Sequence, residues 1–179
     1  MSNFVCADTH FWHDRVIMYE RRPWSNLNEM HEDMISRWNS VVNKSDTVYL
    51  LGDASLGNKK NTTSIISRLR GNKILIMGNH CMRNSVTWWR DTGFHWVSKY
   101  PIMYGSKPCN PTMDVCLSHI PLSNIRKTNM INIHGHLHSN IGSEIYKNAK
   151  NTICVSMENI NYTPVDLDEL IEQIREGMK

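Results

Sequence analysis

No stretch of this chain stays apolar for long enough to cross a bilayer, so a membrane-spanning helix is not expected. Charge of one sign is also scarce: 20 Lys and Arg against 17 Asp and Glu leave a formal +3. That balance is too mild for a surface built to hold long nucleic acid, which needs dense basic patches. Arg21-Arg22 and Lys59-Lys60 come nearest to one and read as solvated loops. Internal repeats, low-complexity segments and linkers are missing too, so 179 residues are expected to form one domain over 1–179, long enough to bury a core. The five cysteines show no close pairing pattern, and Cys6, Cys116 and Cys154 lie within apolar runs as small hydrophobes. With no charged-then-apolar leader ahead of Asn3, a reduced, cytoplasmic protein is expected. Periodicity does not separate exposed faces from interface faces, so no oligomeric state is assigned.

What is present alternates short apolar runs with helical patterns, the signature of an α/β layer fold. Phe4-Val5-Cys6-Ala7, Thr47-Val48-Tyr49-Leu50-Leu51 and Lys73-Ile74-Leu75-Ile76-Met77 read as buried strands. Leu27, Met30, Met34, Ile35, Trp38, Val41 and Val42 form a stripe that predicts a helix over about 28 to 43. Ile65, Ile66 and Leu69 mark a short helix capped by Thr62 or Thr63. Further strands are expected at 95–100, 102–104, 114–117, 130–133 and 152–155, and an amphipathic closing helix at 166–176.

The informative feature is positional. Asp8, Asp53, Asn79, His119 and His136 each follow directly on an apolar strand run, with His10 and His138 two residues beyond Asp8 and His136. Ligands of open α/β sheets collect at the carboxyl ends of the strands, so these side chains should converge. Carboxylate, imidazole and amide together suit Zn, Mn, Fe or Ni rather than an all-oxygen calcium site. Gly52, Gly78 and Gly135 are expected to permit the tight turns that present the next residue.

Asp8-Thr9-His10, Gly52-Asp53, Gly78-Asn79-His80, His119 and Gly135-His136-Leu137-His138 occur in that order. In this the chain resembles the calcineurin-like metallophosphoesterases. The resemblance implies a two-layered ββ sandwich flanked by α-helices, a four-layer α/β/β/α arrangement with two divalent metals at its rim. By matching position, Asp8, His10 and His138 would hold one metal, Asn79, His119 and His136 the other, and Asp53 would bridge them. Manganese is the first expectation, with Fe, Zn or Ni as alternatives. The implied activity is attack by a metal-activated hydroxide on a phosphodiester, with metals roughly 3.5–4 Å apart. His80 would be the catalytic donor to the phosphoryl group or the leaving oxygen.

Around this set, His13 and Arg22 are expected to touch substrate, Arg22 by gripping phosphate bidentately. The structural alternatives are a helix-entry histidine and a loop charge. Cys81 stands where many relatives carry an acid. His31 is expected to face solvent, His95 to pack or lie exposed, and His134 to orient a ligand or fill a buried strand position. Of Trp88-Trp89, one ring is expected in the core in preference to a base-stacking role. The Pro- and Gly-containing segment from Tyr100 to Met113 is expected to overhang the metals as a hairpin lid. The substrate expected is a small or nucleotide-like phosphodiester. The alternatives are a phosphomonoesterase or phosphoprotein phosphatase using the same metals, and a metal-stabilised nucleotide-binding protein without turnover.

Overall fold

The computed structural model describes residues 1–105, 114–122, 130–140 and 151–177. Two sheets carry the chain. In the first, β1 (Asn3–Cys6), β2 (Thr47–Leu51), β3 (Asn72–Ile76) and β4 (Trp96–Ser98) run parallel, and the short β9 (Val165–Asp166) closes the edge antiparallel to β1. In the second, β6 (Asp114–Ser118), β7 (Met130–His134) and β8 (Thr152–Cys154) are parallel, with β5 (Ile102–Tyr104) antiparallel to β6. The spatial orders are β4-β3-β2-β1-β9 and β5-β6-β7-β8.

Side-chain alternation divides the core in two. Phe4 and Cys6, with Val48, Leu50 and Leu75, pack under the helices. Their neighbours Val5, Ala7, Leu51 and Ile76 turn the other way and meet Val115, Leu117, Ile131 and Ile133 of the second sheet. This is the period of two that a strand imposes on its side chains, and it makes the first sheet apolar on both faces. Helices α2 (Leu27–Val41), α3 (Lys59–Ile66) and α4 (Val86–Asp91) supply the covering layer through Met30, Met34, Trp38, Ile66 and Trp89. A shorter α1 spans Asp14–Tyr19, and α5 (Leu167–Gly177) sinks Leu167 and Ile171 into the inter-sheet core.

Local chemistry explains the boundaries. α2 starts at a reciprocal cap: Asn26 Oδ1 accepts from the Glu29 N–H at 3.0 Å, and Glu29 Oε2 accepts from the Ser25 N–H at 3.0 Å. α3 is capped by Asn58, whose side chain accepts from the Asn61 N–H, so Thr62 lies inside the helix instead of starting it. His31 is not solvent-facing. It is buried on α2, accepts the Trp12 N–H at 3.0 Å through Nε2, and lies against the Phe11 and Trp12 rings. Trp89 is the core tryptophan of its pair, donating its indole N–H to the Cys81 carbonyl.

Of the segment expected to form a hairpin lid, 100–113, only the part up to Gly105 is described. Ile102 pairs with Leu117 and Tyr104 with Val115, so β5 leads away from the His119 end of β6 towards its start. The rest of that segment, 106–113, lies outside the described residues.

The two sheets join at the edge where the parallel strands end. The Ala7 N–H donates to the Val155 carbonyl at 2.8 Å and the Met157 N–H to the Ala7 carbonyl at 3.0 Å, a parallel bridge from β1 to the end of β8. That seam sets Asp8 beside Ser156. The loop after β1 also runs along the loop after β2, with the His10 N–H on the Asp53 carbonyl and the Phe11 N–H on that of Ala54.

Candidate metal centre

All seven expected ligands arrive at this edge. Asp8, His10, Asp53 and His119 are buried, His136 and His138 are partly covered, and Asn79 and His80 lie exposed at the rim. Asp53 is central: its Oδ2 is 3.7 Å from His10 Nε2 and 3.5 Å from His119 Nε2. Its Oδ1 accepts the His80 backbone N–H at 3.0 Å. His119 Nε2 also lies 2.8 Å from Asn79 Oδ1, and the His119 and His136 rings are 5.0 Å apart. On the other side the His10 and His138 rings are 5.0 Å apart. Among the described residues, three groups of side chains could hold a metal ion: Asp8, His10 and His138; Asp8, Asp53 and His119; and Glu20, His138 and Glu158.

The donor set fits a cation on grounds internal to the structure. Asp8 Oδ2 is occupied by the Ser156 hydroxyl at 2.6 Å and the His136 N–H at 2.8 Å, whereas its Oδ1 is buried with no hydrogen-bond partner. His10 Nε2 is buried in the same condition. Polar atoms in that state are costly unless something satisfies them. His119 Nδ1 can only donate to the Leu51 carbonyl, 2.9 Å away, so a neutral ring turns a bare Nε2 towards the Asn79 and Asp53 oxygens. Lone pairs converging in this way are what a divalent cation relieves. Burial pushes the Asp8 carboxyl up, against the pull of His119 and His138, and pushes His10 well down, keeping its imidazole neutral as a ligand must be.

Backbone shape aims these groups. Asp8, His10, Asp53, His136 and His138 all have positive φ, from 46° to 73°. The glycines act differently from one another. Gly52 has φ of 89° and needs its freedom, while Gly78 and Gly135 do not have positive φ. Their role is space: a Cβ at Gly78 would strike Asp53 Oδ1, and one at Gly135 would come within 2.6 Å of Asp8 Oδ2.

The remaining candidates divide. His13 is half-buried with Nδ1 3.2 Å from His10 Nδ1 and its ring 6.2 Å from that of His80, so it belongs to the rim. Arg22 is 4% exposed and points inward. Its guanidinium donates to Glu158 and to the carbonyls of Asp8 and Thr9, which leaves it bracing the ligand loop and not gripping phosphate. Cys81 is turned into the helix-side core, its thiol pushed up to about 12 by burial and by the Asp53 charge, so it stays protonated. His95 is exposed, and its Nδ1 accepts the Lys73 N–H. His134 is buried on β7 with Nδ1 on the Gly135 carbonyl. Ser156 and Glu158 belong to no motif. Yet Ser156 follows the apolar run 152–155 directly, the same position relative to a strand that marks the ligands.

Two sheets meeting at a rim of imidazole, carboxylate and amide groups define a metallohydrolase-like class. Within it, the chain belongs to the calcineurin-like phosphoesterase family, whose model matches residues 1–176. It is therefore a metal-dependent phosphoesterase. It is 32% identical over 178 residues to an uncharacterised protein of Methanocaldococcus jannaschii, covering 97% of this chain and 92% of that one. It is also 32% identical over 167 residues to the gene 66 protein of Mycobacterium phage L5, covering 78% and 79%. The crystal structure of a protein of unknown function from Aquifex aeolicus has the same fold, with a TM-score of 0.75 at 23% identity over 96% of this chain and 98% of that one.

Proposed function

We propose that the chain is a two-metal phosphodiesterase acting on a small or nucleotide-like diester in a reducing cytoplasm. The observation that carries the dinuclear reading is Asp53 Oδ2, which lies at nearly equal distances from His10 Nε2 and His119 Nε2. Asp8, His10 and His138 would hold one ion, Asn79, His119 and His136 the other, with Asp53 between. Manganese suits the mixed donors, as Fe, Zn and Ni do. Bound divalent cations supply charge against the phosphoryl oxygens and bring the pKa of water towards about 7.

The chain's own residues supply the rest. His80 stands exposed at the rim while its backbone N–H is fixed on Asp53, so its ring is free to give a proton to the leaving oxygen. His13, beside it, reaches a non-bridging oxygen. Burial lowers the His13 imidazole towards its neutral form, and Arg22 is committed elsewhere, so neither adds positive charge for the phosphate. A singly charged diester needs less compensation than a doubly charged monoester, which favours the diester. The four described cysteines are free thiols, in keeping with a reducing compartment.

Aryl phosphate mono- and diesters, compared at equal manganese, test the preference. The diester is expected to give the higher kcat/KM by at least about tenfold, a barrier difference of about 1.4 kcal/mol. A monoester preference of that size would move the assignment to a phosphomonoesterase. Binding of nucleotides without cleavage of either ester would move it to a binding protein.

A further inference from the structure

Behind the ligands lies a charged assembly that no metal position uses directly. Glu158, in the 3-10 turn Met157–Ile160 that follows β8, accepts the Nδ1–H of His138 on Oε2 at 3.1 Å. Its Oε1 takes Arg22 Nε at 2.8 Å and Nη2 at 2.7 Å. The same guanidinium reaches the Asp8 carbonyl at 2.8 Å and the Thr9 carbonyl at 2.9 Å. Both side chains are nearly excluded from solvent. Burying such a pair is expensive, and its attraction only partly offsets the cost, so its value lies in what it holds.

What it holds is one metal position. Through two carbonyls Arg22 fixes the turn that carries Asp8 and His10, and through Glu158 it fixes His138. All three ligands have left-handed backbones that the surroundings must impose. Glu158 also groups with Glu20 and His138 in an ion-sized arrangement. Arg22 already neutralises it there, which makes that group a brace and not another cation position.

We infer that Glu158, held by Arg22, is a positioning residue that locks His138 with its proton on Nδ1. The Nε2 lone pair is then ready for the ion shared with Asp8 and His10. This rests on the metal-centre reading above. Ser156, two residues earlier, does the matching work on Asp8 by engaging Oδ2 and leaving Oδ1 bare. One strand end that carries no ligand thus steers two of them.

Glu158→Gln in the full chain tests the inference by two readouts that need no turnover. Calorimetric titration with Mn²⁺ should show one of two binding events weakened about 10–100-fold and the other within about twofold. Long-range ¹H–¹⁵N spectra of the metal-free protein at mildly alkaline pH should show His138 as the Nδ1–H tautomer in the parent and a mixture in the variant. If the unpaired Arg22 unfolds this variant, Arg22→Met/Glu158→Gln removes both charges and should give the same two changes. Two undiminished binding events with the Nδ1–H tautomer retained would overturn the inference. So would a lowered Tm with affinities and tautomer unchanged. A parent protein that takes up no Mn²⁺ would overturn the metal-centre reading instead, and the metal-free tautomer would then decide the brace by itself.

Discussion

Asp8, His10, Asp53, His136 and His138 each hold a left-handed backbone, a conformation that costs an L residue on the order of 1 kcal/mol. Five such residues at one edge mean that the fold spends conformational energy on aiming side chains, and neighbouring bonds keep them there. That the candidate ligands gather at one edge was legible because Asp8, Asp53, Asn79, His119 and His136 follow apolar runs, with His10 and His138 two residues beyond. Glu158 and the inward turn of Arg22 were not, since both depend on a contact 136 residues apart in the chain. The purpose of Gly78 and Gly135 was half legible: the sequence marks a special position, but only packing reveals that it is Cβ volume that is excluded. His80 shows how finely a residue can divide its work. Its backbone N–H touches Asp53 and its ring does not, so His80→Ala keeps that bond. The variant should retain both metals while kcat falls about 10²–10⁴-fold, as expected for a lost general acid. Elemental analysis beside steady-state kinetics checks this, and metal loss in proportion to activity would count against a proton-donor role.

At the scale of elements, periodicity carried the reading well where one face alone is buried. α2 lies within two residues of its expected bounds, and its cap was present in Asn26-Leu27-Asn28-Glu29. It failed at His31, which sits beside the apolar stripe and is drawn in by the loop of the first ligand block. No helix pattern encodes a partner that arrives from another element. His31 has its pKa pushed down to about 4, chiefly by burial, with Arg68 adding to the shift and Glu32 opposing it. An unfolded histidine titrates near 6.5, so the unfolded chain binds the extra proton between these values. His31 therefore contributes stability fully above about pH 6.5 and loses it progressively as pH falls towards about 4, by roughly 2–3 kcal/mol. Denaturant unfolding of metal-free protein should show His31→Gln, which still accepts the Trp12 N–H without titrating, losing less stability than the parent between pH 7.5 and pH 5. Parallel losses in parent and variant would refute the assignment.

For the molecule as a whole, the fold class was readable because alternating apolar runs and helical stripes leave few layered solutions. The seam at Ala7 and Ser156 was not, yet it brings the parallel strands of two mixed sheets to a common carboxyl edge. A centre assembled across that seam should stabilise both sheets when loaded. Free metal at about 100 times its dissociation constant adds about 2.7 kcal/mol per ion, or roughly 5–10 °C in Tm for a chain of this size. Thermal unfolding with and without a chelator measures it, and an unchanged Tm would argue against a centre spanning the sheets.

The most direct measurement is the metal content of anaerobically prepared parent and Asp53→Asn protein. Two ions per chain in the parent, with both weakened together in the variant, is the predicted result. A variant that keeps two ions and the parent's turnover would contradict a shared carboxylate at the heart of the site.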